Sequence, residues 1–313
     1  MKKTVFIDGA AGTTGLRIHE RLSERDDIEL ILLPEEKRKD TEARKRALNE
    51  ADIAFLCLPD AAAVEALAMV TSPHTAIIDT STAHRTAPGW EYGFPELHGR
   101  RSRIAAAHRI ANPGCHASGF VALCEPLVRL GLLRPDAMLS AFSLTGYSGG
   151  GKQMIAAYEA EGRDPLLSAP RQYGLGQKHK HLPEMAAVCG LTAAPVFCPI
   201  VAPYYSGMEV TVPLHAAEVR GNVTDLLAAY RAYYTDGVVR VVEGADEGGF
   251  LSAAALTGRD DMEITLTGNE ERILLTARFD NLGKGASGAA IQNMNLLLGV
   301  EETTGLVVGK ENT

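Results

Sequence analysis

The sequence predicts an α/β protein in two parts: a Rossmann-type parallel-sheet domain, then a mixed, largely antiparallel α+β domain. Three observations carry this reading. The chain opens on a β-prone run, a glycine loop and a helical pattern; strand and helix patterns then alternate through the first third; and beyond residue 138 the runs turn β-prone, several alternating in polarity. With 313 residues at 46% hydrophobic content, there is core enough for two domains.

Thr4-Val5-Phe6-Ile7 reads as the first strand. Asp8-Gly9-Ala10-Ala11-Gly12-Thr13-Thr14-Gly15 follows, and Leu16, Ile18 and Leu22 then recur at helical spacing. Strand, glycine loop and helix form the dinucleotide layout: glycines allow close backbone approach, and the helix N-terminus offers amides and dipole to a pyrophosphate. The spacing is GxxGxxG rather than GxGxxG, which also fits a plain turn. A second strand over 28–33 runs into Pro34-Glu35-Glu36-Lys37-Arg38. An acid there suits a ribose hydroxyl and a base a 2′-phosphate, so this stretch leaves NADH against NADPH open.

Residues 53–58 read as a third strand, 61–70 as an alanine-rich helix and 76–79 as a fourth strand, which together imply a parallel sheet. Asp79-Thr80-Ser81-Thr82-Ala83-His84-Arg85 lies at that strand's C-terminal end, where open α/β sheets bind ligands. Arg85 fits either an anionic substrate or a solvated loop. Residues 92–97 read as a turn-rich connector and 103–107 as a strand feeding Ala111-Asn112-Pro113-Gly114-Cys115-His116-Ala117-Ser118-Gly119.

That last stretch is the centre of the chain. Pro113 and Gly114 break what precedes them, and Phe120, Leu123, Cys124, Leu127 and Leu130 mark an amphipathic helix starting at Cys115. Unpaired amides and the positive dipole end favour a thiolate there, as a nucleophile requires. Taken alone, such a cysteine reads equally as a small buried hydrophobe.

In the second half, 139–145 reads as a strand, Gly146-Tyr147-Ser148-Gly149-Gly150-Gly151-Lys152 as a flexible loop ending in a cation, and 154–160 as a helix. Tyr173-Gly174-Leu175-Gly176-Gln177-Lys178-His179-Lys180-His181-Leu182-Pro183-Glu184 then supplies two histidines one residue apart. In an extended loop both rings face one way, as an acid-base pair could. The spacing lacks the one-face geometry of HExxH, so no metal is expected. Runs at 196–201, 208–212, 238–242, 262–266 and 272–279 are β-prone, with a helix marked by Val223, Leu226, Leu227, Tyr230 and Tyr234. Asp280-Asn281-Leu282-Gly283-Lys284-Gly285 turns into a small-residue helix through Asn295, suited to pack back on the first domain. The expected division is 1–114 with 286–313 as the dinucleotide-binding domain and 115–285 as the catalytic and oligomerisation domain.

A net charge of −8 argues against nucleic acid or an anionic membrane surface as partner and leaves a small molecule. Five cysteines without a CxxC pair suit a reducing cytoplasm rather than a disulfide framework. Met1-Lys2-Lys3-Thr4-Val5 lacks a signal-peptide apolar core and no run is long enough to span a bilayer, so a cytoplasmic location is expected.

Taken together, residues 9–15, 79–85, Asn112-Pro113-Gly114-Cys115, 148–152, 179–184 and 280–295 resemble the N-acetyl-gamma-glutamyl-phosphate reductases of arginine biosynthesis, in their shorter subfamily, within the group that includes aspartate-semialdehyde dehydrogenase. The resemblance spans nearly the whole chain. It implies NADPH-dependent reduction of N-acetyl-gamma-glutamyl phosphate to N-acetylglutamate semialdehyde with release of phosphate, by a homodimer or homotetramer. Cys115 would be the nucleophile and His179 or His181 the acid-base, His179 first. Gly9, Gly12, Thr13, Thr14, Gly15, Ser81 and Asn281 would hold cofactor, and Arg85, Ser148, Lys180 and Glu184 substrate. The residues suit that chemistry: a thiolate displaces phosphate, hydride reduces the thioester, and a histidine near neutral pKa moves the protons. Two alternatives share these motifs: a reductase of aspartyl or aminoadipyl phosphate, and a redox-sensing nucleotide-binding protein without turnover.

Overall fold

A computed structural model describes residues 2–235, 237–243 and 247–309; Met1 and residues 310–313 of the expected first domain lie outside the described residues. The chain divides into two compact units. Among the described residues, unit 1 takes those up to Pro95, Gly99–Pro113 and Ala286–Leu306, and unit 2 takes Glu96–His98, Gly114–Gly285 and those after Leu306.

Unit 1 begins β1 (Lys3–Asp8), α1 (Thr13–Ser23), β2 (Ile28–Ile31), α2 (Thr41–Glu50), β3 (Ile53–Leu56), α3 (Asp60–Ala68) and β4 (Ala76–Asp79). It continues through β5 (Glu91–Tyr92), α4 (Arg100–Ala105) and β6 (Arg109–Ala111). Its strands form a parallel sheet in the order β2-β1-β3-β4-β6-β5. Successive side chains leave a strand on opposite faces, so the continuous apolar runs of β1 and β3 feed two cores. Val5, Ile7, Phe55 and Ile78 pack with Ile18 and Leu22 of α1 and Ile104 of α4, whereas Phe6, Ala54, Leu56 and Ile77 pack with Leu48 of α2 and Ala63 and Ala66 of α3.

One local reading is corrected here. Residues 103–107 are not a strand: α4 covers Arg100–Ala105 and the strand is β6, because Ile104 is the one buried apolar side chain of α4 and its neighbours are alanines and arginines, strong helix formers. In addition, α2 carries no clear apolar stripe, yet it forms behind an Asp40 cap whose carboxylate accepts from Ala43 N at 2.7 Å.

Unit 2 holds α5 (Cys115–Arg129), β7 (Ser140–Gly146), α6 (Gly151–Glu159), β8 (Arg171–Gln172), α7 (Leu182–Cys189), β9 (Val196–Ala202) and β10 (Met208–His215). It closes with α8 (Val223–Tyr233), β11 (Val239–Val241), β12 (Met262–Gly268) and β13 (Arg272–Phe279). The sheet order is β11-β12-β13-β10-β7-β9-β8, with β7·β9 and β11·β12 parallel and the other pairings antiparallel. Helix α5 packs on β10 and β13 and against α7 and α8. The opposite sheet face carries Phe142, Val196 and Leu274, all exposed. Last in the chain, α9 (Gly288–Leu298) packs on α1, α4 and β4 inside unit 1, its small residues allowing close approach.

Candidate active site

In unit 1, β1 ends where the glycine loop turns into α1. Gly9 has φ +89°, and a Cβ there would collide with the Cys57 carbonyl; a Cβ on Gly15 would come within 2.5 Å of Gly9 O. Only glycine satisfies both positions. Gly12 caps α1 without a side-chain hydrogen bond, leaving the amides of Thr13, Thr14 and Gly15 to whatever anion meets the helix end. Beside this loop lies a cavity of about 790 Å³ lined by Gly9, Ala10, Leu33, Glu36, Arg38 and Lys39, among others. Arg44 is tied to Asp8, with 2.8 Å between Nη2 and Oδ2. A backbone cradle that a Cβ would fill, opening on a cavity of this size, fits a dinucleotide.

At the end of β4, Asp79 is fully buried and accepts from Ser81 Oγ at 2.7 Å and from His84 Nδ1 at 2.6 Å; the His84 ring stacks on Trp90. Arg85 donates to Asn112 O at 3.0 Å and Thr80 O at 3.1 Å, which joins it to the ends of β4 and β6.

In unit 2, Cys115 is the first residue of α5, and Gly114 caps it in extended conformation. Glu184, buried at the third position of α7, accepts from Gly114 N at 2.8 Å. The motif that carries the paired histidines thus also holds the backbone just before the cysteine. Gly285 completes the packing, since a Cβ there would lie 3.0 Å from Cys115 Cβ.

His116, His179 and His181 form one cluster: ring centroids are 5.5 Å apart for His116–His179, 5.6 Å for His116–His181 and 4.7 Å for His179–His181. The expectation of an extended backbone fails at His181, which is helical at φ −85° and ψ −11° because it begins α7. The rings meet nonetheless, and His181 N donates to His179 Nδ1 at 3.2 Å. His116 is buried, its Nδ1 2.7 Å from Ser143 Oγ and its Nε2 2.6 Å from Tyr173 Oη. Burial, with a lesser contribution from His179, lowers its pKa to about 3. Burial also pushes the Tyr173 hydroxyl up, with Cys115 adding to the shift.

Ser148 Oγ accepts from Asn281 Nδ2 at 3.0 Å, and Asn281 Oδ1 accepts from Gly207 N at 2.9 Å. Lys180 is exposed. The sequence left Tyr173 and Ser143 unassigned and placed His116 only behind the paired histidines, as a next candidate for the proton carrier alongside His84 and His108. His116 directly follows the cysteine and Tyr173 opens the histidine motif, so both signals were present; Ser143 carried none. The buried pair Lys284–Glu96, 2.8 Å apart, was also unforeseen.

Residues 4–107 match the family described as semialdehyde dehydrogenase, NAD binding domain, and residues 115–281 that described as semialdehyde dehydrogenase, dimerisation domain. The chain is 45% identical over 311 residues to N-acetyl-gamma-glutamyl-phosphate reductase 2 of Pseudomonas putida, covering 96% of this chain and 98% of that protein. It is 46% identical over 311 residues to N-acetyl-gamma-glutamyl-phosphate reductase of Brucella ovis, covering 96% and 100%. Among solved structures, aspartate semialdehyde dehydrogenase II of Vibrio cholerae superposes with a TM-score of 0.73 at 17% identity, covering 95% of this chain and 98% of that one. The Candida albicans aspartate semialdehyde dehydrogenase with NADP gives 0.65 at 14%, covering 94% and 98%. At those identities the likeness is one of fold.

Proposed function

This chain belongs to the N-acetyl-gamma-glutamyl-phosphate reductase family of the semialdehyde dehydrogenases, and from that membership we propose how its residues carry the reaction. It reduces N-acetyl-gamma-glutamyl phosphate to N-acetylglutamate semialdehyde with NADPH, a step of arginine biosynthesis. The observation that carries this is identity of 45–46% across 96% of the chain to reductases of that name.

Cys115, at the first turn of α5, attacks the acyl carbon as a thiolate and displaces phosphate, leaving a thioester on the chain. Bound NADPH supplies the hydride that reduces this thioester to a hemithioacetal. His181 protonates the hemithioacetal oxygen and takes that proton back as the carbon–sulfur bond breaks, releasing the semialdehyde and restoring the thiolate. What favours His181 over His179 is the bond from His181 N to His179 Nδ1. A neutral ring accepting at Nδ1 carries its proton on Nε2, which makes His179 a donor to substrate oxygens.

In unit 1, the reading gives the amides of Thr13, Thr14 and Gly15, on the turn that Gly9 and Gly12 make, to the pyrophosphate, and Arg38 and Lys39 to the 2′-phosphate. Ser81 and Asn281 are assigned to cofactor, and Arg85, Ser148 and Lys180 to substrate anions and polar groups. Glu184 has one oxygen engaged by Gly114 N and serves the cysteine loop as well as the substrate side. Unit 1 acts as the dinucleotide-binding domain and unit 2 as the catalytic and oligomerisation domain. The exposed sheet face bearing Phe142, Val196 and Leu274 is the surface on which two copies pair, in line with the dimerisation domain matched there. Among the described residues no helix is long and apolar enough to cross a membrane, and the reaction is assigned to the cytoplasm.

The test is phosphate-dependent NADP reduction by the purified protein with N-acetylglutamate semialdehyde, run beside aspartate semialdehyde and aminoadipate semialdehyde. The reading expects kcat/KM for the first to exceed the others by at least about a hundredfold. Equal rates, or none, would sink it.

A further inference from the structure

We propose that Arg44 sets the cofactor preference: held in place by Asp8, it offers one edge of its guanidinium to the ribose 2′-phosphate that distinguishes NADPH from NADH. The inference rests on the NADPH reading above and adds to Arg38 and Lys39 a cation whose position is fixed.

Asp8 ends β1 and is buried, and Arg44 closes the first turn of α2, its N donating to Asp40 O. Arg44 Nε donates to both Asp8 carboxylate oxygens at 3.2 Å, and Nη2 donates to Oδ2 at 2.8 Å. Asp8 thus covers the side edge of the guanidinium, Nε with Nη2, and takes two of its five N–H groups. The other three meet no acceptor among the described residues. One of these on Nη1 and one on Nη2 lie parallel along the end edge, the fork that matches two oxygens of a phosphate. The Arg44 side chain is 13% exposed and that of Asp8 4%, so what remains open is the edge that Asp8 leaves uncovered. Both residues line the 790 Å³ cavity beside the glycine loop.

Three features make this edge selective for the phosphate. A Rossmann site for NADH presents a carboxylate that accepts from the 2′-hydroxyl. Asp8 is the buried acid of this cavity and has both oxygens engaged by Arg44, whereas Glu35 and Glu36, which also line it, are exposed and solvated. Secondly, Arg44 stands in the first turn of α2, where the helix dipole disfavours a cation. Helix stability does not account for a guanidinium there; Asp8 offsets the cost, and a bound dianion offsets it further. Lastly, Arg44 is already ordered before any ligand arrives, so it loses less side-chain entropy on binding than the exposed Arg38 and Lys39. Leu33, Pro34 and Leu58 of the same cavity supply apolar surface for an adenine ring.

The test compares two nucleotides that differ only in the 2′-phosphate, adenosine 2′,5′-bisphosphate and adenosine 5′-monophosphate, by calorimetric titration of the whole protein without substrate. Wild type should bind the bisphosphate more tightly. Arg44→Lys keeps the charge and can still pair with Asp8, but an ammonium has no fork. Its affinity for the bisphosphate should fall by at least about tenfold and that for the monophosphate by less than about twofold. If Arg44→Lys does not fold, the double variant Asp8→Leu with Arg44→Met replaces the pair without leaving a lone buried charge, and it should lose the same preference. A ratio of the two affinities that stays within about twofold of wild type overturns the proposal. Equal weakening of both nucleotides overturns it as well, since the pair would then only hold α2 on β1. A wild type that does not distinguish the nucleotides removes the NADPH preference along with the role of Arg44, whereas failure of the semialdehyde assay leaves this comparison untouched.

Discussion

Glu184 Oε1 lies 2.8 Å from the backbone nitrogen of Gly114, so the residue three places after His181 grips the residue just before Cys115. Both are buried. Replacing Glu184 by Ala strands the Gly114 N–H, and a loss of about 1–3 kcal/mol in stability is expected, measurable as a lowered urea midpoint. Because the cap of the cysteine helix then loosens, kcat should fall by roughly tenfold or more with nucleotide affinity unchanged. Glu184→Gln retains an acceptor and should recover most of the stability; if Ala and Gln behave alike, the bond does not matter.

Under the proposed mechanism Cys115→Ser should abolish turnover and leave NADPH binding nearly intact, because the thioester would form on the sulfur whereas the cofactor is assigned to the Gly9–Gly15 loop of unit 1. More than about one hundredth of wild-type kcat in the variant would exclude Cys115 as nucleophile.

His181→Asn should lower kcat by roughly a hundredfold or more and flatten the pH–rate profile, the range expected for a general acid-base. His179→Asn should act mainly on KM, the proposed role of that ring being a donor to substrate. Reversed outcomes would return the proton carrier to His179; near-normal rates in both would move it out of the pair.

The side chains of Lys284 and Glu96 are each 1% exposed and pair at 2.8 Å. Removing one charge leaves its partner buried, so Lys284→Met alone should destabilise the protein by about 3–5 kcal/mol, and the double variant with Glu96→Leu by much less. Gly285, directly after the lysine, abuts Cys115 Cβ, so activity should fall along with stability in the single variant. Equal losses in the single and double variants would mean that packing, not charge, is what counts.

His116 gives a pH dependence of known sign. In the unfolded chain its ring binds a proton below pH about 6.5, in the folded protein only below about 3, so the unfolded state holds the extra proton between them. Stability therefore falls as pH drops through that window, by up to about 1.4 kcal/mol per unit. A His116→Asn variant should lose that slope, as urea midpoints from pH 7 to 4 would reveal; an unchanged slope would place the acid sensitivity elsewhere.

The order of elements was legible wherever a local rule decided it. Apolar runs fixed the parallel strands, Pro113 and Gly114 fixed where α5 begins, and the glycines at 9 and 15 marked a turn that no other residue could make. The reading failed at 103–107, where alanines beside one isoleucine satisfy helix and strand alike and only the packing of Ile104 decides. The proposed nucleophile, Cys115, and the paired histidines stood out because their chemistry is rare and their spacing short. What the sequence left undecided was which distant side chains would share hydrogens. That Ser143, His116 and Tyr173 form one chain, that Glu184 reaches Gly114, and that Lys284 finds Glu96 all depend on contacts between residues 27 to 188 positions apart. Hydrogen-bond partners separated by such distances are selected by how strands and helices pack, and a linear pattern carries no term for that choice.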